Sequence, residues 1–358
     1  MGKESMHMAK SKNTAAVVYA LLAACFYAIH TPLSKILLHD VPATLTASFL
    51  YMGAGLGVGI MYAFHFRKES RIERLTRADL PYTIGMIVLD ILAPILLMVG
   101  ISMGSASNAS LLGNFEIVAT TVIALLFFRE AVSGVLWAAI AFITLSSMIL
   151  SFEGSGSFQF SYSSLFVLLA ASCWGLENNC TRRISDKSTY EIVVLKGIFS
   201  GGGAFLIAMA RGERLPEVPY ILSAMVLGFV AYGLSIFLYI RAQRDLGAAK
   251  TSAYYAIAPF VGAFLSFVIH GERLTWVYFV ALVFMLIGSA FVVYDTMIRQ
   301  HAHVHIHTIR HTHDGSTHTH IVTHEHVHHH IAESDAHAHH HRDYMHSEEH
   351  RAAHIRSI

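Results

Sequence analysis

Charge is scarce in this chain. Asp, Glu, Lys and Arg make up 14% of its 358 residues, against about 25% in an ordinary soluble protein. So few charges cannot cover a water-facing surface, which argues against a soluble globular fold. Cysteine is scarcer still. Cys25, Cys173 and Cys180 are the only three, and none is spaced as C-x-x-C, so neither a disulfide framework nor a cysteine metal motif is expected. They read as small packing residues within apolar runs. There is no phosphate-binding loop to drive a pump with ATP. No nucleophile–base arrangement occurs in the polar segments, so an enzyme is not expected. The first apolar run is too long for a signal-peptide core and lacks an A-x-A-like end, so it is expected to remain as an uncleaved span.

What the chain has in abundance is apolar sequence, 54% of residues, with a mean hydropathy of +0.51. It is organised around the stretch REAVSGVLWAAIAFITLSSMIL at 129–150. This returns as GERLTWVYFVALVFMLIGSAFV at 271–292, an offset of 142. At that offset Ser110 meets Ser252, Glu130 meets Glu272, Phe142 meets Phe284 and Ser147 meets Ser289. A short charged turn leads each time into about 20 apolar residues, enough to cross a bilayer as a helix. Comparable runs lie at 14–38, 43–66, 81–101, 108–128, 132–152, 163–183, 190–210, 219–242, 250–270 and 274–297. Helices rather than barrel strands suit these lengths. The expected fold is therefore an all-α integral membrane protein with ten transmembrane helices.

Lys and Arg set the orientation. With the N-terminus inside, the cytoplasmic segments collect the cations of 1–13, 67–77, 182–187 and 241–250, together with Arg129 and Arg299. The external connections then hold only Arg211, Arg214 and Arg273. Both termini are expected in the cytoplasm of a cell with this protein in its plasma or inner membrane. An odd number of spans per half makes the second half enter with opposite orientation, an inverted five-helix repeat. A second alignment at offset 148 lays Cys25–Lys35 over Cys173–Arg183, and Gly53 and Gly55 over Gly201 and Gly203. The expected organisation is a polar segment 1–13, a first repeat 14–152, an external linker 153–162, a second repeat 163–297 and a polar tail 298–358.

Ten spans in two halves, a Glu-containing turn before the last span of each (RE-AVS and GERLT) and the WGLENN stretch of the sixth span resemble the EamA-type drug/metabolite transporters over about residues 14–297. The resemblance implies a permease that moves small polar metabolites through a central cavity by alternating access, with no cofactor required. The partners it implies are the lipid bilayer and a small-molecule substrate, with no nucleic acid and with a homodimer as one arrangement. Pro259 stands in the ninth span, but its counterpart is Ile117, preceded by Glu116. The fourth span is therefore expected to be less kinked and more acidic than in the family.

Ionisable groups inside a bilayer cost about 2.5–3.5 kcal/mol each at mid-helix and persist where they meet a cavity or a partner. The candidates for contact with substrate or a coupling proton are His30, Asp90, Glu116, Glu177, Asn178 and Lys196. The alternative is a set of buried ion pairs holding helices in register. Lys35 lies near a span end and can snorkel. Glu130 and Glu272 read as turn or cap residues. Gly53, Gly55, Gly57, Gly59 and Gly201–Gly203 read as close helix contacts, and Pro32, Pro94 and Pro259 as kinks. Trp174, Tyr254 and Tyr255 could line a cavity, but packed or lipid-facing is the default reading.

Of 25 histidines, 20 follow Arg299. They alternate with other residues at His301, His303, His305 and His307, at His311 and His313, at His318 and His320, and at His324, His326 and His328. Asp314-Gly315 between the runs is a hairpin-turn signal, which would bring two histidine rows together. Neutral imidazole suits Zn, Ni, Co or Cu. The tail cannot build a core and is expected to be disordered or only locally ordered without metal. Two further readings follow from it: a divalent-metal transporter fed by the tail, or a metal or pH sensor. The formal charge of residues 301–358 would swing from −3 to +17 if all 20 histidines protonated, and unperturbed histidine titrates at about pH 6.5.

Overall fold

A computed structural model describes residues 3–65, 74–128, 132–152, 161–184, 187–246, 251, 254–272, 274–313 and 316–331. The chain divides into two compact units, Met1–Asp295 and Thr296–Ile358.

The first unit is helical. Its helices are α1 (Lys3–Ala28), α2 (His30–Leu37), α3 (Ala43–His65), α4 (Leu80–Met103), α5 (Ala106–Leu112), α6 (Phe115–Phe128) and α7 (Gly134–Ser151). They continue with α8 (Tyr162–Arg182), α9 (Thr189–Leu195), α10 (Gly201–Ala210), α11 (Val218–Gly228), α12 (Ser235–Leu246), α13 (Ala258–His270) and α14 (Trp276–Met297). Among the described residues, 8 segments are long and apolar enough to cross a membrane: Thr14–Leu37, Ala43–Phe64, Arg77–Met103, Ala106–Phe127, Gly134–Ser151, Thr189–Ala210, Val218–Gln243 and Trp276–Met297. The other two expected spans contain α8, whose 21 residues include Glu177, Asn178, Asn179 and Arg182, and α13, which is 13 residues long. Large apolar side chains such as Phe64, Phe127, Leu206 and Trp276 stand exposed, as a lipid-facing perimeter requires.

Several spans are interrupted. Pro32 has no N–H to give the carbonyl of Ala28, and α1 stops at Ala28 while α2 starts at His30. The fourth span corrects an expectation. It has no proline, yet it breaks between α5 and α6 at Gly113 and Asn114. Glycine is a poor helix former, and asparagine offers the backbone a competing partner; here the Asn114 amide donates to the Leu111 carbonyl at 3.3 Å. The ninth span turns at 256–257 before Pro259 enters the first turn of α13. Position 114 and position 256 are 142 apart, so the two breaks overlap at one position of the repeat. Wider π-helical turns occupy Lys196–Ser200 and Phe229–Leu234. By contrast α4 runs through Pro94 without interruption.

The core lies where the first stretch of helices packs on the second: α3 against α10 and α11, α4 against α8, α1 against α12, and α5 against α13. Glycine permits the closest approach. A Cβ on Gly53 would stand 2.0 Å from the Met225 carbonyl oxygen, and one on Gly197 would stand 2.3 Å from the Cα of Gly55. Gly202 differs from the expectation for its triplet, because open space surrounds it.

The second unit contains a hairpin, β1 (Ile298–His313) paired antiparallel with β2 (Ser316–Ile331). Asp314 and Gly315 of the expected turn lie outside the described residues, as do Glu130 and 153–160 of the expected linker.

Candidate functional site

The interruptions of the spans position the ionisable groups. His30 is the first residue of α2, Glu116 lies in the first turn of α6, and Lys196 opens the π-turn after α9. Asp90 comes from the middle of α4, and Glu177 and Asn178 from the last third of α8. Lys196 Nζ stands 3.3 Å from Asp90 Oδ2 and 2.8 Å from Glu177 Oε1. Asp90 is 1% exposed and Glu177 2%, whereas the Lys196 side chain is 20% exposed. The one cation thus sits at the accessible end of two buried carboxylates.

Around this triad the network closes quickly. Tyr51 Oη donates to Asp90 Oδ1 at 3.1 Å, and the Trp174 indole N–H donates to Tyr51 Oη at 3.3 Å. The Thr181 hydroxyl donates to Glu177. One residue along α8, the Asn178 amide donates to Glu116 Oε1 at 2.6 Å and to Thr120 Oγ1 at 3.3 Å. His30 joins through rings. Its imidazole lies 5.5 Å from the Tyr232 ring, which lies 5.5 Å from Tyr51. His30 Nδ1 is 2.7 Å from the Tyr27 carbonyl, which can only accept, so Nδ1 carries the proton and Nε2 accepts from Thr31 Oγ1 at 3.0 Å. All six residues singled out from sequence therefore belong to one neighbourhood, five through polar contacts and His30 through aromatic ones.

Sequence reading missed Tyr27, Tyr51 and Tyr232. Tyr27, Tyr51, Tyr232 and Tyr255 pack ring on ring beside the carboxylates. Trp174 and Tyr255 are packed within this network. The available signal was a phenol or indole inside a span, which needs a partner for its polar tip when buried. Tyr232 Oη is buried without a hydrogen-bond partner, which leaves one polar group in the network unsatisfied.

Two charged residues near span ends have structural roles. Lys35 lies beside a span end, where its ammonium donates to the carbonyls of Ile101 and Gly104 at 2.6 and 2.7 Å, closing the C-terminal end of α4. Glu272 caps α5 from the far half of the chain. Its carboxylate accepts from Ser105 Oγ at 2.8 Å and from the backbone N–H groups of Ala106 and Ser107 at 2.7 and 3.0 Å. Burial pushes the Glu272 carboxyl up, but the hydrogen bonds from Ser107, Ser105 and Ala106 outweigh it and hold its pKa below the ordinary glutamate value. Among the described residues of the helical unit, no group of three or more His, Cys, Asp or Glu side chains is arranged to hold a metal.

These features define a multi-pass membrane protein with a buried ionic cluster where its two stretches of helices meet. The sequence pattern of the EamA-like transporter family matches residues 14–152 and again 161–294, so the chain belongs to that family and is built from two successive copies of its unit. An uncharacterized transporter of Methanothermobacter thermautotrophicus is 25% identical over 296 residues, covering 76% of this chain and 84% of that protein. A solved crystal structure shares the fold, with a TM-score of 0.58 at 14% identity, over 78% of this chain and 96% of its own.

Proposed function

We propose that this chain is a secondary transporter of small polar metabolites in the plasma or inner membrane, with both termini in the cytoplasm and no cofactor required. Its ten spans form two inverted five-helix halves that rock about the cluster and open it to each side in turn. Protons are exchanged at Glu116 and Glu177 as the substrate enters and leaves.

The observation that carries this reading is Lys196 held between Asp90 and Glu177. A cation shared by two carboxylates can give up one of them to an arriving proton or polar substrate without leaving the other uncompensated. Removing charge compensation altogether would be costly in a low-dielectric interior. The breaks at His30 and Glu116 and the π-turn at Lys196 support the same reading, because interrupted helices expose backbone polar groups where transporters hold their cargo.

The test is flux in proteoliposomes with a metabolite panel and with Zn, Ni and Co as comparison. Metabolite flux is expected, depressed and with altered pH dependence in Glu116→Gln and Glu177→Gln. Full flux with unchanged pH dependence in both variants removes proton exchange at these residues. Flux of the metals alone would replace the metabolite reading with a metal transporter.

A further inference from the structure

Transport as proposed makes no use of the histidine-rich hairpin, whose backbone register orders its imidazole-bearing positions. His301 pairs with His328, His303 with His326, and His305 with His324. Directly opposite residues, and residues two apart on one strand, share a face of a sheet. These six histidines form three consecutive rungs on a single face. The next two rungs of that face break the series, His307 with Val322 and Ile309 with His320, before His311 pairs with His318. The alternate rungs hold Ala302 with Val327, Val304 with Glu325 and Ile306 with Thr323, so the one carboxylate in this part of the ribbon falls on the other face.

The spacing suits a metal ion. Opposite Cα atoms in an antiparallel pair lie about 4.5–5.5 Å apart, and same-face neighbours along a strand about 6.8 Å. A tetrahedral or trigonal ion takes three or four nitrogen donors at about 2.0–2.1 Å. Two adjacent rungs offer four histidine positions on one face, as many as such an ion takes. An all-nitrogen set selects Zn, Co, Ni or Cu over Mg or Ca, which prefer oxygen.

We propose that His301, His303, His305, His324, His326 and His328 form a binding site for a divalent transition-metal ion, with the His303–His326 rung at its centre. Any four-histidine set drawn from two adjacent rungs includes both residues of the central rung. Loss of either outer rung leaves one complete set, whereas loss of the central rung leaves none.

The experiment uses the full chain, purified in detergent and stripped with a chelator. It is titrated with Zn by calorimetry and with Co(II) by visible absorption, which reports nitrogen ligation and geometry. One site is expected, with the ligand-field bands of a tetrahedral nitrogen set for Co(II). His303→Ala/His326→Ala is expected to lower its affinity by more than about tenfold, since changes outside the ligand shell alone cost about 10–100-fold. His301→Ala/His328→Ala and His339→Ala/His340→Ala are expected to retain the site. Equal losses in all three double variants, or none in the first, would overturn the proposal and leave a string of independent imidazoles binding ions adventitiously.

Discussion

Lys196 is the residue on which the buried charges balance. Its removal in Lys196→Met leaves Asp90 and Glu177 as like charges with no cation between them. Breaking a buried pair on one side costs about 3–5 kcal/mol, so the variant is expected to unfold at a clearly lower temperature in detergent. The triple variant Asp90→Asn/Lys196→Met/Glu177→Gln removes the conflict and is expected to recover most of that loss. A triple variant no more stable than the single one would show that the cluster is not held by charge. Glu272 offers a second measurement. Its pKa is held below the ordinary glutamate value, so its cap contributes fully above that ordinary value and is lost as pH falls through the lowered one. Glu272→Gln is expected to lower stability by about 1–2 kcal/mol at neutral pH. Unfolding followed from pH 7 down to pH 3 should then show a smaller acid-induced decline than in the parent chain.

At the scale of the helices, tight contact and interruption have different origins. Gly53, Gly55, Gly197 and Gly228 hold α3 against the neighbouring helices at backbone distance, with a Cβ on Gly228 standing 1.9 Å from the Leu50 carbonyl oxygen. Gly53→Ala is expected to destabilise by about 1–3 kcal/mol through overpacking. Gly202→Ala, where nothing lies within 4 Å, is expected to be neutral or slightly stabilising, as Ala is the better helix former. A thermal shift assay on both variants separates crowding from helix propensity. The interruptions were only partly legible. Pro32 announces the break before His30 by its missing N–H. Gly113 and Asn114 break the fourth span without that signal, and Pro94 leaves α4 continuous. A proline removes one donor, but packing on both sides decides whether the helix parts.

For the whole molecule, labelling can check the proposed inverted arrangement. With Cys25, Cys173 and Cys180 all replaced first, single cysteines at Arg71 and Arg214 should react from opposite sides of the membrane in sealed vesicles. Reaction from the same side would defeat the inverted repeat and with it the rocking mechanism.

The placement of eight of the spans was readable along the chain because a bilayer demands long apolar runs with internally paired backbones. The candidate residues were readable for the same reason, since an ionisable group is conspicuous in such a run. Their partners were not. Which face of α4, α8 or the Lys196 turn meets another depends on helix rotation and on registry between segments remote in sequence. Asp90 and Lys196 pair across 106 positions, and no local pattern encodes that contact. Tyr27, Tyr51 and Tyr232 escaped notice because a phenol in an apolar run reads as packing until its hydroxyl has a neighbour. By itself the sequence determined that the chain crosses a membrane, in two related halves, and carries a few costly charges. Only the tertiary structure decided which charges compensate one another, because compensation depends on distances of a few ångströms set by packing.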